Sequence, residues 1–215
     1  MTSDRQISYW NQEGTTKTFS HPLNLDWLRQ HLKPDARILD YGCGYGRVAA
    51  MLYEQGYREV VGVDAAGGMI EKARRLHPQL SFRQITPPNV PFPDGFFDAV
   101  VLFTVLTCIP GDDDQKAVVS EIQRLTRRGG LLYISDLWLQ SDERNRRRYA
   151  QFENRLPYGV FEVAEGVAVR HHSRQWIASL LHEWETIASC DIRVTTMNGH
   201  EAAGFQWLGR NRENK

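Results

Sequence analysis

An α/β fold built on a doubly wound parallel sheet is what this 215-residue sequence predicts, and three observations carry that reading. From Arg37 onward, short apolar runs alternate with amphipathic stretches across brief turns, a pattern that implies right-handed crossovers. Phe97-Asp98-Ala99-Val100-Val101-Leu102-Phe103 is almost continuously apolar, as a strand buried on both faces must be. Ile38-Leu39-Asp40-Tyr41-Gly42-Cys43-Gly44-Tyr45-Gly46 reads as a buried strand that ends on an acid, breaks into a glycine-rich turn and starts a helix at Arg47. Backbone so poor in side chains can approach a ligand closely, and the helix N-terminus behind it offers free N–H groups.

The elements follow in order. Ser20-His21-Pro22 starts a helix whose apolar face is Leu23, Leu25, Trp27, Leu28 and Leu32, and Lys33-Pro34-Asp35 ends it. Arg37–Asp40 is the first strand and Arg47–Gln55 a helix that Gly56 closes. Val60–Asp64 is the second strand, Gly68–Leu76 a helix stopped by His77-Pro78, and Leu80–Ile85 the third strand. Phe97–Phe103 is the fourth. Asp112–Arg127 is a helix with Val118, Ile122 and Leu125 on one stripe and acids at its positive end, followed by Gly129-Gly130 and a fifth strand, Leu131–Asp136.

After the fifth strand the pattern changes. Gln140–Asn154 is charged and helical in character, and Val160–Val163 and Val167–Val169 flank Glu165-Gly166 as a hairpin. Ser173 caps a helix with Trp176, Ile177, Leu180, Leu181 and Trp184 on one face, and two strand-like runs, 186–196 and 203–210, meet through Asn198-Gly199. The length suits one α/β domain over 1–215, with residues 1–33 as an N-terminal cap or lid and 140–172 as an inserted cover on the substrate side.

Composition narrows the class. Charged residues at 24% and apolar ones at 41% are ordinary for a globular domain. Twenty-six Lys+Arg against 26 Asp+Glu leave no net charge, which speaks against nucleic acid as the main partner. Cys43, Cys108 and Cys190 are odd in number and never spaced C-x-x-C, so no zinc site and no disulfide framework is indicated, and no metal is expected. Met1–Trp10 lacks the apolar stretch of a signal peptide and no run reaches bilayer length, so the expected setting is cytoplasmic, without a membrane partner, as a monomer or homodimer.

The glycine turn fits a nucleoside cofactor. A dinucleotide fingerprint is G-x-G-x-x-G; here Gly42, Gly44 and Gly46 give G-x-G-x-G, with Arg47 where the third glycine belongs. Asp40 places negative charge at the mouth, which suits a cationic ligand better than a pyrophosphate. Asp64 lies about 20 residues on, where a ribose-binding acid is expected.

Ile38–Gly46 with Asp64, then Phe97–Val101, then Leu125-Thr126-Arg127-Arg128-Gly129-Gly130-Leu131-Leu132, resemble the successive motifs of class I S-adenosylmethionine-dependent methyltransferases, over residues 35–136 and in the right order. The resemblance implies a seven-stranded, Rossmann-like sheet with a C-terminal antiparallel strand pair, and S-adenosyl-L-methionine as cofactor. It implies that Gly42, Cys43 and Gly44, with Tyr41 beside them, lie against the methionine part, and that Asp40 helps hold its amino group. Asp64 would bind the ribose hydroxyls, Ala65 and Met69 the adenine, and Phe103 would face the reacting methyl. The family often carries an acid after the third strand; here Thr86 stands in its place as the adenine contact.

A sulfonium is already a reactive donor, so the protein must align the acceptor in line, exclude water and accept a proton where one is released. His171-His172 is the sharpest feature outside the common core, one of them a general base or substrate hydrogen-bond partner, the alternative being that both pack the following helix. Tyr9, Trp10 and His21 are lid candidates, Tyr9 and His21 joining the two histidines as catalytic candidates; the alternative is an N-terminal helix packed for stability. Arg144–Arg148 reads as a recognition patch for phosphate or carboxylate or, more simply, as a solvated helix face. The expected function is methyl transfer to a small-molecule acceptor. A protein, peptide or RNA acceptor is the alternative, with a non-catalytic cofactor-binding protein and a dehydrogenase behind it.

Overall fold

The computed structural model describes residues 4–12, 17, 20–154, 156–163 and 167–212. A seven-stranded sheet runs in the order β3-β2-β1-β4-β5-β9-β8, formed by β1 (Arg37–Tyr41), β2 (Glu59–Asp64), β3 (Ser81–Gln84), β4 (Phe97–Phe103), β5 (Thr126–Leu137), β8 (Trp184–Thr195) and β9 (Glu201–Asn211). β1 to β5 pair in parallel. β9 runs antiparallel to β5, and β8 to β9. The switch point between β1 and β4 opens the crevice at their carboxyl ends where such sheets bind ligands.

Alternation along the strands splits the core into two layers. Ile38, Val60, Ala99, Val101 and Tyr133 face α2 (Leu25–Arg29), α3 (Arg47–Glu54) and α4 (Gly67–Leu76). Leu39, Val63, Val100, Leu102 and Ile134 face α5 (Asp112–Leu125) and α7 (Arg174–Leu180). Ser173 caps α7 as expected, its Oγ accepting the Trp176 N–H at 3.0 Å.

Three elements depart from the sequence expectations. The N-terminal helix begins only at Leu25, capped by Asn24. The chain before it is held extended against the sheet instead, with Gln206 Nε2 donating to the Pro22 carbonyl and the Asn24 N–H donating to Tyr133 Oη. The fifth strand starts at Thr126 rather than Leu131, because β4 pairs with both Thr126 and Leu131 across a register shift. Trp184, expected on the α7 face, starts β8.

The cover is a small structure of its own. α1 (Asp4–Asn11), α6 (Glu143–Ala150) and the two-stranded β6 (Val160–Glu162) and β7 (Ala168–Arg170) gather Tyr9, Tyr149, Phe161, Val163, Val167 and Val169 into a separate apolar cluster. Glu165-Gly166, the expected hairpin turn, lies outside the described residues. Among the described residues no helix is long and apolar enough to cross a membrane.

Candidate active site

The cradle forms where β1 gives way to α3. The Gly42 and Cys43 N–H groups both donate to the Val63 carbonyl, at 2.8 and 2.9 Å, which folds the turn back over β2. Gly42 has φ +71°, and a Cβ there would lie 2.4 Å from Val105 Cγ2, so only glycine lets β1 and the loop after β4 approach this closely. At Gly44, with φ +53°, a Cβ would meet no protein atom within 4 Å. The cradle is open on that side.

Two carboxylates, Asp64 half-buried and Asp40 fully buried, brace the turn. Asp64 accepts the Gly44 N–H at 2.9 Å on one oxygen and the Ala66 N–H at 2.8 Å on the other. That leaves lone pairs for further donors, since a carboxylate offers about four acceptor sites. Burial raises its pKa against those backbone bonds. Asp40, 1% exposed, accepts the Ala49 N–H at 3.0 Å, and burial lifts its pKa to about 7, with Asp64 adding to the rise. A cationic ligand between these acids would relieve the cost of their ionisation.

Asp40, Tyr41, Gly42, Cys43, Gly44, Asp64, Ala65, Met69 and Phe103 all line one cavity. Thr86 does not: it closes a local bridge with Asn89, leaving Ile85 and Pro87 as the β3-loop lining. Thr86 therefore stands outside the cavity in which the adenine was expected, and its apolar neighbours stand inside it. Thr104, at the exit of β4, sits at φ +56°, costly for a β-branched residue and worth about 1–3 kcal/mol of strain. Its N–H donates to the Ser135 carbonyl at 2.8 Å.

Thr104, Cys108 and Trp10 belong also to a second cavity, which runs under the cover. Its volume is about 100 Å³, against roughly 10–15 Å³ for a single water. α6 contributes Arg144, Asn145 and Arg148, the hairpin Phe161 and Val169, and the β8–β9 turn residues 195–202.

The four catalytic candidates separate here. His171 lines the second cavity, 5% exposed, with Nδ1 2.6 Å from Tyr149 Oη. Tyr149 Oη also accepts the Gln140 N–H, and His171 Nδ1 is the acceptor within reach of its own proton among the described residues, an arrangement that assigns the imidazole proton to Nε2. Burial, with Arg148 nearby, drops the His171 pKa to about 3. His21 lines the same cavity, its Nδ1 3.0 Å from Ser135 Oγ, and its pKa is lowered to about 4 by burial and Arg47. His172 reaches neither cavity: Nδ1 faces the Leu137 carbonyl at 3.2 Å and Nε2 the Gln115 amide at 3.0 Å, so both ring nitrogens serve the fold. Tyr9 is buried in the cover cluster, edge-on to Trp10, and Trp10 rather than Tyr9 borders the two cavities.

Sequence reasoning missed the β8–β9 turn, where nothing in residues 195–202 distinguishes a cavity wall from any hairpin loop. It saw the arginine run but not its split. Helical phase turns Arg144 and Arg148 to the cavity, while Arg147 pairs outward with Glu143.

A parallel sheet with a glycine cradle and two acids at its switch point defines an α/β protein that binds a nucleoside cofactor. Residues 39–134 match the family described as methyltransferase domain. Ribosomal protein L11 methyltransferase of Ralstonia pickettii (strain 12J) is 32% identical over 161 residues, 72% of this chain and 50% of the relative. Human eEF1A lysine and N-terminal methyltransferase is 27% identical over 116 residues, 52% of this chain and 17% of the relative. This chain thus spans half or less of the length of these relatives. A SAM-dependent methyltransferase of Methanosarcina mazei has the same fold, with a TM-score of 0.82 at 22% identity, over 87% of this chain and 98% of that one. Residues 39–134 thus carry a methyltransferase domain on the fold of S-adenosylmethionine-dependent methyltransferases, whose cofactor is S-adenosylmethionine.

Proposed function

We propose that the chain transfers a methyl group from S-adenosylmethionine to a small molecule held in the second cavity, and that residues 1–215 act as one unit, with 1–33 as cap and 140–172 as substrate cover. The observation that carries this reading is the pair of cavities meeting at Thr104, Cys108 and Trp10, the second roofed by the cover. A partly covered chamber whose exposed surface is largely apolar, with polar groups around it, suits a small ligand.

The cofactor supplies an electrophilic methyl on a sulfonium, and the chain's residues do the rest. Asp40 and the backbone of Gly42–Gly44 hold the amino-acid end, and Asp64 holds the ribose. Ile85, Pro87 and Met69 face the adenine. Phe103 and Thr104 set the junction through which the acceptor reaches the methyl. Trp10, on α1, closes both cavities over the junction and keeps water out. Fixing the two reactants in line can supply about 7–11 kcal/mol in the best intramolecular cases. With its proton on Nε2 and its pKa near 3, His171 is a hydrogen-bond donor to the acceptor, not its base.

A second reading, transfer to a protein, is favoured by the ribosomal protein and elongation factor in the names of the two relatives. Incubating the protein with methyl-labelled S-adenosylmethionine and a cell extract, then separating small molecules from macromolecules, distinguishes them. A labelled small-molecule product distinct from residual S-adenosylmethionine is expected; transferred label found only on protein overturns the small-molecule reading. Thermal shift tests the cofactor directly: at 100 Kd, S-adenosylmethionine should raise Tm by about 5–10 °C. NAD should leave it unchanged.

A further inference from the structure

We infer that the acceptor carries an anionic head group, a carboxylate or a phosphate, seated between Arg144, Arg148 and His171 at the α6 end of the second cavity. The word acceptor rests on the methyl-transfer reading above; the anion seat rests on the side chains alone.

Arg144 and Arg148 stand four residues apart on α6, one turn above the other, and both line the cavity. Neither has a carboxylate partner among the described residues. Several other arginines have one: Arg124 with Glu121, Arg127 with Asp98, Arg170 with Asp112, Arg174 with Asp191, and Arg147 on the same helix with Glu143. Arg148 instead lies flat over Phe161, its Cζ 3.9 Å from the ring centroid, and donates to the Asn145 side chain at 3.3 Å. Phe161 in turn meets the His171 ring edge-on at 4.9 Å.

His171 completes the set from the other wall. Its Nδ1 is taken by Tyr149, so the remaining ring position presents an N–H, and Nε2 has no partner among the described residues although the side chain is 95% covered. Three donors, two of them permanently charged, therefore line one cavity, with Arg148 close enough to influence His171 electrostatically. Asp142 is near enough for its charge to be felt by both arginines and by His171, but it forms an ion pair with neither arginine among the described residues. Asp142 caps α6, accepting from the Asn145 N–H at 3.1 Å and its Nδ2 at 2.7 Å. Glu201, the one carboxylate in the cavity lining, pairs with neither arginine. Two guanidinium groups this close repel each other, and burial together with Arg144 already weakens the hold of Arg148 on its proton. An oxyanion relieves both, and the spacing of two forks suits a planar carboxylate or a phosphate.

The probes are trans-cinnamate, its uncharged near-isostere trans-cinnamamide, and phenyl phosphate, each titrated by calorimetry into full-length protein saturated with S-adenosylhomocysteine. At least one anion should bind about tenfold or more tightly than the amide, since hydrogen bonds to a charged group are roughly twice as strong as neutral ones. Whichever anion is tighter identifies the head group. Arg144→Gln, at an exposed position that does not endanger folding, should cut that preference severalfold, and Arg144→Gln with Arg148→Gln should abolish it. Equal binding of anion and amide, no millimolar binding by either anion, or a preference that survives the double variant overturns the anion seat. Cofactor affinity is measured alongside. Failure to bind S-adenosylmethionine sinks the methyl-transfer reading while leaving an anion preference intact, so the two failures are told apart.

Discussion

The cofactor cradle and the acceptor cover sit a few residues apart in space yet are built by opposite means. The cradle is backbone: glycines in left-handed conformations and carboxylates that grip N–H groups, all within β1, β2 and the turn between β1 and α3. The cover is side chains drawn from α1, α6 and the β6–β7 hairpin, held to each other by one apolar cluster, with the β8–β9 turn adding a further wall to the cavity beneath. A backbone site tolerates almost no substitution and binds one constant ligand. A side-chain site assembled from distant segments can be retuned piece by piece, which is what a variable acceptor requires.

The comparison is broken most severely at Gly42. Gly42→Ala forces a Cβ to within 2.4 Å of Val105 at φ +71°. S-adenosylmethionine affinity measured by calorimetry should fall by about two orders of magnitude, which corresponds to roughly 3 kcal/mol of strain at one such residue. An unchanged Kd would mean that the cofactor does not use this turn. Arg144→Gln, by contrast, should leave cofactor affinity where it was.

Asp40 gives the next effect, read through pH. Its pKa in the free protein is about 7, so below pH 7 the carboxyl is neutral and no longer opposes a positive charge. Cofactor Kd should weaken on acidification by up to about tenfold per unit from pH 7 downward. Asp40→Asn should bind weakly and without that slope. The stability consequence has the opposite sign. A carboxylate whose folded pKa is raised favours the folded state below its ordinary pKa and loses that contribution as pH rises through 7. Asp40→Asn should therefore lose less stability than wild type between pH 4 and 7.

The same contrast decides what could be read from the sequence. Asp40, the glycines and Asp64 are contiguous or one strand apart, and their roles follow from local chain geometry. The strand alternation likewise predicted the doubly wound parallel sheet, and the resemblance to class I methyltransferases implied its seven strands and antiparallel end. His171 and His172 are neighbours with the same chemistry and opposite fates, and nothing local distinguishes them. What does is Tyr149, 22 residues away, reaching one ring, and Gln115, 57 residues away, reaching the other. Thr86 lies outside the cavity for a similar reason, its backbone bridging to Asn89.

His172 supplies the third test. Buried and neutral, with its pKa lowered to about 3, it costs nothing in the folded state above pH 6.5. Below that, the unfolded chain takes up a proton the folded chain refuses. Stability is then lost by up to about 1.4 kcal/mol per pH unit as pH falls from 6.5 towards 3. His172→Gln should shallow that acid limb in urea unfolding and, in whatever fraction folds, leave cofactor Kd unchanged. His171→Gln should also shallow the limb, but must lower turnover. If turnover follows His172 instead, the division between structural and cavity-lining histidine is wrong.

The smallest expected effect concerns the strap between the two regions. Gln6 on α1 donates to the Cys108 carbonyl at 2.7 Å and to the Ala168 carbonyl at 2.6 Å, tying the lid helix to the loop after β4 and to the hairpin at once. Asn11, at the other end of α1, accepts the Gly68 N–H at 2.9 Å and so fastens the lid to the start of α4. Trp10 lies between these anchors, on both cavities. Gln6→Ala removes two hydrogen bonds worth about 1 kcal/mol each. The lid should open more often, and stopped-flow dissociation of S-adenosylhomocysteine should quicken by roughly ten- to thirtyfold at most if both bonds are lost in the open state. Asn11→Ala, losing one bond on the cradle side, should quicken it several-fold. If neither variant changes the off-rate, α1 is packing rather than a lid, and the cradle and the cover open to solvent independently of each other.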